Sequence, residues 1–294
     1  MKFRLPIAVV GVAAFLAVRI SAGESMRPRI ISLYAGHTEV LLRLGARDNI
    51  VGVSRQENYD GPETEGWSPP EFSIRDDIEK FLAAKPDIVL VRPQHVAGAG
   101  RLVDALERSG IAVVPLQVLR ADELHAYWRE LGGLVGRQNE AAAMSEAFAK
   151  EAARYAEASA KLERRPGVFI EAIHREVKTF VPGSIPAWLV GLAGGRYVAA
   201  DAIPAAPGVI IADYGPERLL GKAGEIEVFV SQDGAMNGTP LETIRTRSIY
   251  QPLAAFKTGK VFKISEAILA RPTPSLLKGL AQLAEWTGLA RSIE

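Results

Sequence analysis

The stretch RQNEAAAMSEAFAKEAARYAEASAKLERR, residues 137–165, decides the fold of this chain. It contains no Gly or Pro and is rich in Ala, Glu, Lys and Arg, which favour the α-helix. Asn139 suits the start of a helix, and the basic residues near 165 suit its negative end. The apolar positions form one narrow stripe at helical spacing: Met144, Phe148, Ala152 and Tyr155. The stretch is either an ordinary long helix or a rigid strut between two lobes of similar size.

Composition limits the classes of protein to which the chain can belong. Its 294 residues are enough for two domains, and 48% hydrophobic with 23% charged residues is typical of a globular protein. The net charge of +1, without a basic block, predicts no nucleic-acid partner. The absence of cysteine excludes disulfides, thiol catalysis, thiolate metal sites and a lipidated N-terminal Cys. We expect a monomer.

Residues 1–22 are predicted to be a signal peptide. Lys2 and Arg4 precede an apolar run of 14 residues, 5–18, which suits a signal sequence and is short for a membrane span. Ile20-Ser-Ala22 fits a cleavage site. We predict export to the periplasm or another extracytoplasmic location, with an uncleaved N-terminal anchor as the alternative.

Strand and helix signals alternate on both sides of the stretch 137–165. The predicted fold class is α/β, with two Rossmann-like α/β lobes at 23–136 and 166–294 joined by the long linking helix 137–165. Ligands of such sheets bind at the carboxyl ends of the strands, so we expect a ligand cleft between the lobes. The predicted strands are 29–33, 50–53, 87–91, 112–115, 167–170, 227–230 and 260–264.

Four further segments, two before and two after residues 137–165, form an ordered set along the chain. They are RIISLYAGHTEVLLRLGARDNIVGVS (29–54), IEKFLAAKPDIVLV (78–91), the glycine pair 194–195 and PLAAFKTGKVFKI (252–264). On these segments the chain resembles the periplasmic binding proteins of ABC importers for siderophores, haem, cobalamin and related metal chelates. The resemblance is to the group in which one long helix joins two lobes.

This resemblance implies a carrier that is not an enzyme and has no catalytic cofactor. Its cargo would be a metal chelate or a metal ion, and its partner an ABC permease in the cytoplasmic membrane. Members of the family dock on the permease through one surface Glu in each lobe. Glu79 and Glu217 occupy the matching positions here.

Two kinds of cargo site remain open from the residues. Three histidines and one carboxylate follow predicted strands, and together they could bind bare Zn²⁺, Mn²⁺, Fe or Ni²⁺: His37, His95, His174 and Asp233. The fourth histidine, His125, lies in the predicted helix 121–135 and is expected at the surface.

The alternative is a site for an intact chelate. Tyr34 or a histidine could ligate a haem iron. Aromatic walls could come from Tyr34, Tyr59, Trp67 and Trp188, anion contacts from Arg92, Arg175 and Arg271, and polar contacts from Gln94 and Asn237. The segment 92–100, which contains several of these residues, is predicted to be a loop.

Two other classes of function also remain open. The sequence contains no P-loop, G-x-S-x-G or H-E-x-x-H motif. A cleft enzyme of similar two-lobe α/β plan, with His37 or His174 as its base, is one alternative. A ligand sensor without transport is the other.

Overall fold

The computed structural model describes residues 27–55, 64–206, 208–234 and 237–292. The predicted signal peptide and Tyr59 lie outside the described residues. The chain forms two compact units, of which the first comprises residues up to Gln117 with His125–Met144 and the second comprises Val118–Leu124 with Ser145 onwards. None of the helices in the described ranges is long and apolar enough to cross a membrane.

The first unit is built on one parallel sheet. Its strand order is β3-β2-β1-β4-β5, and all four pairings are parallel. The strands are β1 (Ile30–Ser32), β2 (Ile50–Ser54), β3 (Glu71–Phe72), β4 (Ile88–Val91) and β5 (Ala112–Pro115). The helices are α1 (Ala35–Arg43), α2 (Ile78–Ala84), α3 (Pro93–Gly98), α4 (Gly100–Arg108) and α5 (Leu124–Leu134).

Burial of apolar side chains on the sheet holds this unit together. Phe81, Val103 and Leu106 of the helices pack with Ile31 and Val89 of the central strands, and these side chains are buried. A parallel strand covered on both faces is apolar throughout, as the run Ile88–Val91 is. The sheet therefore exposes its functional side chains at the strand ends.

The long helix α6 spans Gln138–Ala160, so it is shorter than the predicted 137–165. It ends because the amides of Lys161 and Leu162 donate to carbonyls three residues back, those of Ala158 and Ser159. The boundary between the two units falls inside this helix, between Met144 and Ser145. The helix therefore contributes residues to both units.

The second unit contains a mixed sheet in the order β11-β10-β6-β7-β9, with β8 also paired to β6. Strands β6, β8, β10 and β11 are parallel, whereas β7 is antiparallel to both of its neighbours. The strands are β6 (Gly167–Ile173), β7 (Lys178–Phe180), β8 (Arg196–Tyr197), β9 (Ile211–Asp213), β10 (Val228–Asp233) and β11 (Val261–Ser265).

Within the described residues of the second unit, six α-helices accompany the sheet: α7 (Ile185–Leu192), α8 (Gly215–Gly221), α9 (Leu241–Thr246), α10 (Ala254–Lys257), α11 (Glu266–Leu269) and α12 (Leu276–Thr287). Its core includes an aromatic group in which Phe229 lies between Phe169 and Tyr250, with ring centroids 5.7 and 5.0 Å away. A 3₁₀ turn, Ser248–Tyr250, carries Tyr250 into this core.

The predicted α/β fold with two sheets is confirmed, and one local prediction is wrong. The segment 92–100 is not a loop, because residues Pro93–Gly98 form helix α3. Pro93 stands at the first helical position, where proline loses no hydrogen bond and its fixed φ suits the helix. The proline therefore starts a helix here.

Candidate functional site

A pocket of about 260 Å³ opens at the carboxyl ends of four strands of the first sheet. Residues that follow β1, β2, β3 and β4 meet there because neighbouring parallel strands end at the same edge. The pocket is lined by Leu33, Tyr34, Ser54, Arg55, Phe72, Ser73, Ile74, Arg92 and His95. Three of the predicted ligand-binding residues, Tyr34, Arg92 and His95, are among them.

The pocket is cationic. Arg55 and Arg92 both line it, and among the described lining residues there is no carboxylate. Arg55 forms an ion pair with Asp76 outside the lining, and Asp76 also binds Lys80 at 2.7 Å. The guanidinium of Arg92 instead lies over the ring of Tyr34, 4.7 Å from its centroid. Arg92 is therefore the cation that this pocket offers to a ligand.

Three buried polar atoms of the pocket residues have no hydrogen-bond partner within the described part of the chain. They are Ser54 Oγ, Arg92 Nε and His95 Nδ1. Burial, and secondarily the charge of Arg92, lowers the pKa of His95, so its imidazole is neutral near pH 7. Buried polar atoms are usually satisfied by protein, water or ligand. A bound molecule with acceptor atoms would complete the hydrogen bonding of Arg92.

His37 does not line the pocket. It lies in the first turn of α1 with 0% exposure, and its Nε2 is 3.2 Å from the carbonyl oxygen of Leu116. Burial lowers the pKa of His37 to about 3, although the hydrogen bond to Leu116 opposes the shift. The ring is therefore neutral, with Nε2–H as the donor. The ring of Tyr34 packs edge-on against it at 5.1 Å.

The second unit carries a buried polar network at the ends of β6 and β10. Its centre is Glu171, a carboxylate with 0% exposure inside an apolar strand. Ser231 Oγ donates to Glu171 Oε2 at 2.9 Å, and the Tyr250 hydroxyl donates to Oε1. Nδ1 of His174 lies 3.1 Å from both carboxylate oxygens. This network holds His174 by its side chain.

The backbone of His174 is held as well. Its amide donates to Asn237 Oδ1 at 3.4 Å, and Arg247 Nη1 donates to its carbonyl oxygen at 2.6 Å. Asn237 is 3% exposed, and its Nδ2 donates to Ser231 Oγ and to the Gln232 carbonyl oxygen. Asn237 therefore supports the network, so the contact that we predicted between Asn237 and cargo stays a prediction.

The predicted bare-metal site stays a prediction, and two of its four residues have other partners in the structure. Across the described ranges there is no group of three or more His, Asp or Glu side chains that could hold a metal ion. His37 is withdrawn into the core and bound to Leu116, and Asp233 is paired with Lys263 at 2.9 Å. His95 and His174 belong to different local clusters, the pocket of the first unit and the network of the second.

The remaining predicted cargo residues lie outside the pocket lining. Trp67 and Arg271 are half-buried, whereas Gln94 and Arg175 are exposed. Trp188 is half-buried and stacks on Phe148 of α6, with ring centroids 6.3 Å apart. His125 is not fully at the surface, because its ring packs edge-on against Trp128 at 5.6 Å.

The two predicted docking glutamates occupy similar local settings. Glu79 lies in the first turn of α2 and Glu217 in the first turn of α8, and both are exposed. Three residues after each comes an exposed leucine, Leu82 at 40% and Leu220 at 39%. Residues three apart share a helix face, so each unit presents one carboxylate beside one apolar side chain.

The sequence-based prediction missed Glu171, Ser231 and Tyr250. The sequence did mark Glu171, since a lone acid within the apolar run 168–173 must either face solvent or find buried partners. Nothing local marked Ser231 and Tyr250, which reach Glu171 from 60 and 79 positions away.

Comparisons with known proteins agree with this architecture. The chain is 24% identical over 279 residues to a vitamin B12-binding protein of Vibrio cholerae, covering 94% of this chain and 95% of that protein. It is 22% identical over 267 residues to an uncharacterized ABC transporter substrate-binding lipoprotein of Bacillus subtilis, covering 87% and 79%. A periplasmic heme-binding protein from Pseudomonas aeruginosa has the same fold, with a TM-score of 0.72, 20% identity and coverage of 88% and 92%.

The family profile described as periplasmic binding protein matches residues 30–267, which include both sheets and helix α6. This match covers most of the chain. The protein belongs to the periplasmic binding protein family.

Proposed function

We propose that this protein is the extracytoplasmic substrate-binding component of an ABC importer and that its cargo is a metal chelate with an anionic group. The family is one of binding proteins, which implies an extracytoplasmic location, a small-molecule ligand and a permease partner. Residues 1–22 would direct export. No catalytic step is part of the proposal, and the cargo metal is the transported substance.

The pocket of the first unit carries the proposal. Arg92 and Arg55 line it without a carboxylate among the described lining residues, and Arg92 Nε is buried without a hydrogen-bond partner there. An arginine beside buried polar atoms binds carboxylates or phosphates through charge-assisted hydrogen bonds. The anionic group of the cargo would supply the acceptors that the pocket lacks.

The size of the pocket indicates how much of the cargo it takes. Its 260 Å³ is below the roughly 300–1,000 Å³ of pockets that enclose a whole drug-sized ligand. The pocket would therefore hold one anionic arm of the chelate, with Phe72 and Ile74 against its apolar part. Relatives named for vitamin B12 and heme support a cargo of the metal-chelate class.

Docking on the permease would use the exposed pairs Glu79 with Leu82 and Glu217 with Leu220. Each pair combines a carboxylate with an apolar side chain on one helix face. A permease surface with a basic side chain beside an apolar hollow would fit such a pair.

The test is a binding panel on protein purified without affinity-tag nickel. Isothermal titration with ferric haem, cyanocobalamin, a ferric hydroxamate and a ferric carboxylate chelate is expected to give one-to-one binding for at least one compound. That binding should weaken with increasing salt. A stoichiometric bare metal ion by mass spectrometry, with no chelate bound, would refute the proposed cargo. Chemical turnover of a bound chelate would instead support an enzyme.

A further inference from the structure

The ring of Tyr34 is held in place from several sides. The Tyr34 carbonyl oxygen accepts from the amides of His37 at 3.0 Å and Thr38 at 3.2 Å, which fixes the residue at the start of α1. The ring of His37 packs edge-on against that of Tyr34, with centroids 5.1 Å apart. The Tyr34 ring also rests on Gly36, where a Cβ would lie only 2.4 Å from Tyr34 Cε1. A residue without a Cβ at position 36 is therefore what leaves room for the ring.

Arg92 is the side chain that this ring supports. Its guanidinium carbon lies 4.7 Å from the centroid of the Tyr34 ring, within the range of a cation–π contact. Arg92 Nε is buried and has no hydrogen-bond partner within the described part of the chain. His37 is neutral near pH 7, because burial lowers its pKa to about 3 and the charge of Arg92 also disfavours a second cation. The three side chains therefore carry a single positive charge.

A second aromatic ring of the same pocket provides an internal comparison. Phe72 rests on Gly52 in the same way, since a Cβ there would lie 2.4 Å from two of its ring carbons, and Lys80 Nζ lies 4.8 Å from its centroid. Lys80, however, donates to the Glu71 carbonyl oxygen at 2.6 Å and to Asp76 at 2.7 Å. The arrangement of glycine, ring and cation thus has its acceptors within the protein at Lys80, whereas Nε of Arg92 has none among the described residues.

From this geometry we propose that Tyr34 is the positioning residue for Arg92 and that Gly36 sets the position of Tyr34. The inference rests on the proposed function. An arginine held over an aromatic ring keeps its N–H groups for a ligand. A carboxylate offers two oxygens in one plane and fits the edge of a guanidinium with two parallel hydrogen bonds. The cargo group for which the pocket is prepared is therefore a carboxylate.

The ring contributes by restraining Arg92 before the cargo arrives. A long arginine side chain loses conformational freedom when it binds a ligand, and a contact that already restrains it lowers that cost. Loss of the ring should thus weaken the binding of an anion although the charge of Arg92 remains. A ring that merely formed part of the pocket wall would instead affect charged and neutral ligands alike.

The test is an NMR titration of the ¹⁵N-labelled protein with sodium propionate, which serves as a minimal carboxylate arm. Propionamide has a similar shape without the charge and is the neutral comparison. The Nε–H resonance of Arg92, identified by its absence in R92K, reports on the guanidinium itself. In the wild type we expect an upfield ring-current shift of the Arg92 side-chain protons and a saturable movement of the Nε–H signal with propionate.

The variants separate the ring from the hydroxyl group and from the glycine. Y34L should abolish the ring-current shift and weaken propionate binding by about fivefold or more, because the cation–π contact is lost. Y34F, the conservative variant, keeps the ring and should restore most of the affinity that Y34L loses. G36A should match Y34L, since its methyl group would displace the ring, and G36A added to Y34L should cause no further loss.

The control is G98A, which adds the same methyl group to α3 at a position where a Cβ meets nothing within 4 Å. It should keep the wild-type affinity for propionate and the wild-type Nε–H signal. A dispersed amide spectrum shows for each variant that it is folded.

Wild-type affinity for propionate in Y34L would overturn the inference, as would an equal loss in Y34F and Y34L. Equal binding of propionate and propionamide by the wild type, or no saturable shift with propionate, would overturn it as well. The carrier function is tested apart from these titrations, since it falls only if no chelate of the binding panel binds.

Discussion

The imidazole Nε2 of His37 lies 3.2 Å from the carbonyl oxygen of Leu116, and the ring has no solvent exposure. Burial lowers the pKa of His37 to about 3 from 6.5. Between these values the unfolded chain takes up a proton that the folded chain does not. The free energy of unfolding should therefore be fully retained above pH 6.5 and fall as the pH decreases toward 3, by about 1.4 kcal/mol per pH unit.

Urea unfolding at pH 7 and pH 5 measures this effect. The variant H37Q retains an amide donor in place of Nε2–H but has no titrating ring. Its loss of stability between the two pH values should be smaller than that of the wild type by about 2 kcal/mol. Equal losses in both proteins would show that His37 does not cause the acid sensitivity.

Arg92 should determine the affinity for anionic cargo. R92M keeps most of the side-chain volume but removes the charge and the buried Nε, so affinity for a carboxylate-bearing chelate should fall at least about tenfold. R92K keeps the charge without the fork and should lie between R92M and wild type. Isothermal titration at low and high salt measures the affinity of each variant and how strongly that affinity depends on charge.

The matched control for Arg92 is Arg101, an exposed arginine of helix α4 in the same unit. R101M should bind the chelate with wild-type affinity. If R92M binds as tightly as R101M, the cationic pocket is not where the anionic group sits.

Two adjacent glycines near the end of α5 should respond oppositely to alanine. A Cβ on Gly132 would lie 2.7 Å from Ala141 Cβ and 2.8 Å from the Arg137 carbonyl oxygen, so α5 and the start of α6 would have to separate. A Cβ on Gly133 meets nothing within 4 Å. We expect G132A to lower the free energy of unfolding by about 1–3 kcal/mol and G133A to raise it by up to about 1 kcal/mol.

Chemical denaturation of both variants tests this pair. G133A serves as the control for helix propensity, because it adds the same methyl group one residue away. If G132A were as stable as G133A, the close approach of α5 to the α6 start would not constrain the fold.

Docking on the permease should fail when the charge on α2 is reversed. E79R places a cation where a basic partner side chain would approach, so uptake and binding to the reconstituted permease should be lost while cargo affinity is unchanged. L82D should weaken permease binding without changing cargo affinity. Binding to permease in lipid nanodiscs and cargo titration measure the two effects separately.

The control for docking is E107R, a charge reversal at an exposed residue of α4. It should leave uptake near the wild-type level. A parallel loss of cargo affinity in E79R would contradict a role confined to docking.

The buried parallel strands could be predicted because their side chains are apolar throughout. The run Ile88–Val91 and the strand Val228–Asp233 both begin within one residue of the predicted start. Strands β7 and β9 escaped prediction because they are three residues long and lie toward one edge of the sheet, where a short alternation gives little signal. Periodicity therefore identified the centre of each sheet better than its margin.

The sequence predicted which residues lie at strand ends, but it predicted less well whether their side chains face the pocket or the core. Tyr34, Arg92 and His95 were expected at strand ends, and all three line the pocket. His37 was expected there too, but α1 begins at Ala35 and places His37 in a buried first turn. A shift of a few residues in a helix start is within the error of any sequence pattern, and it decides whether a side chain faces the pocket or the core.

The network that holds His174 joins groups from distant parts of the chain. Ser231 and Tyr250 lie 60 and 79 positions beyond Glu171, and Tyr250 is also a member of the aromatic core. In a newly made or unfolded chain these groups are apart, and His174 is an ordinary imidazole with no fixed tautomer. The surroundings of His174 therefore form only when the second unit folds as a whole, from Glu171 to Tyr250.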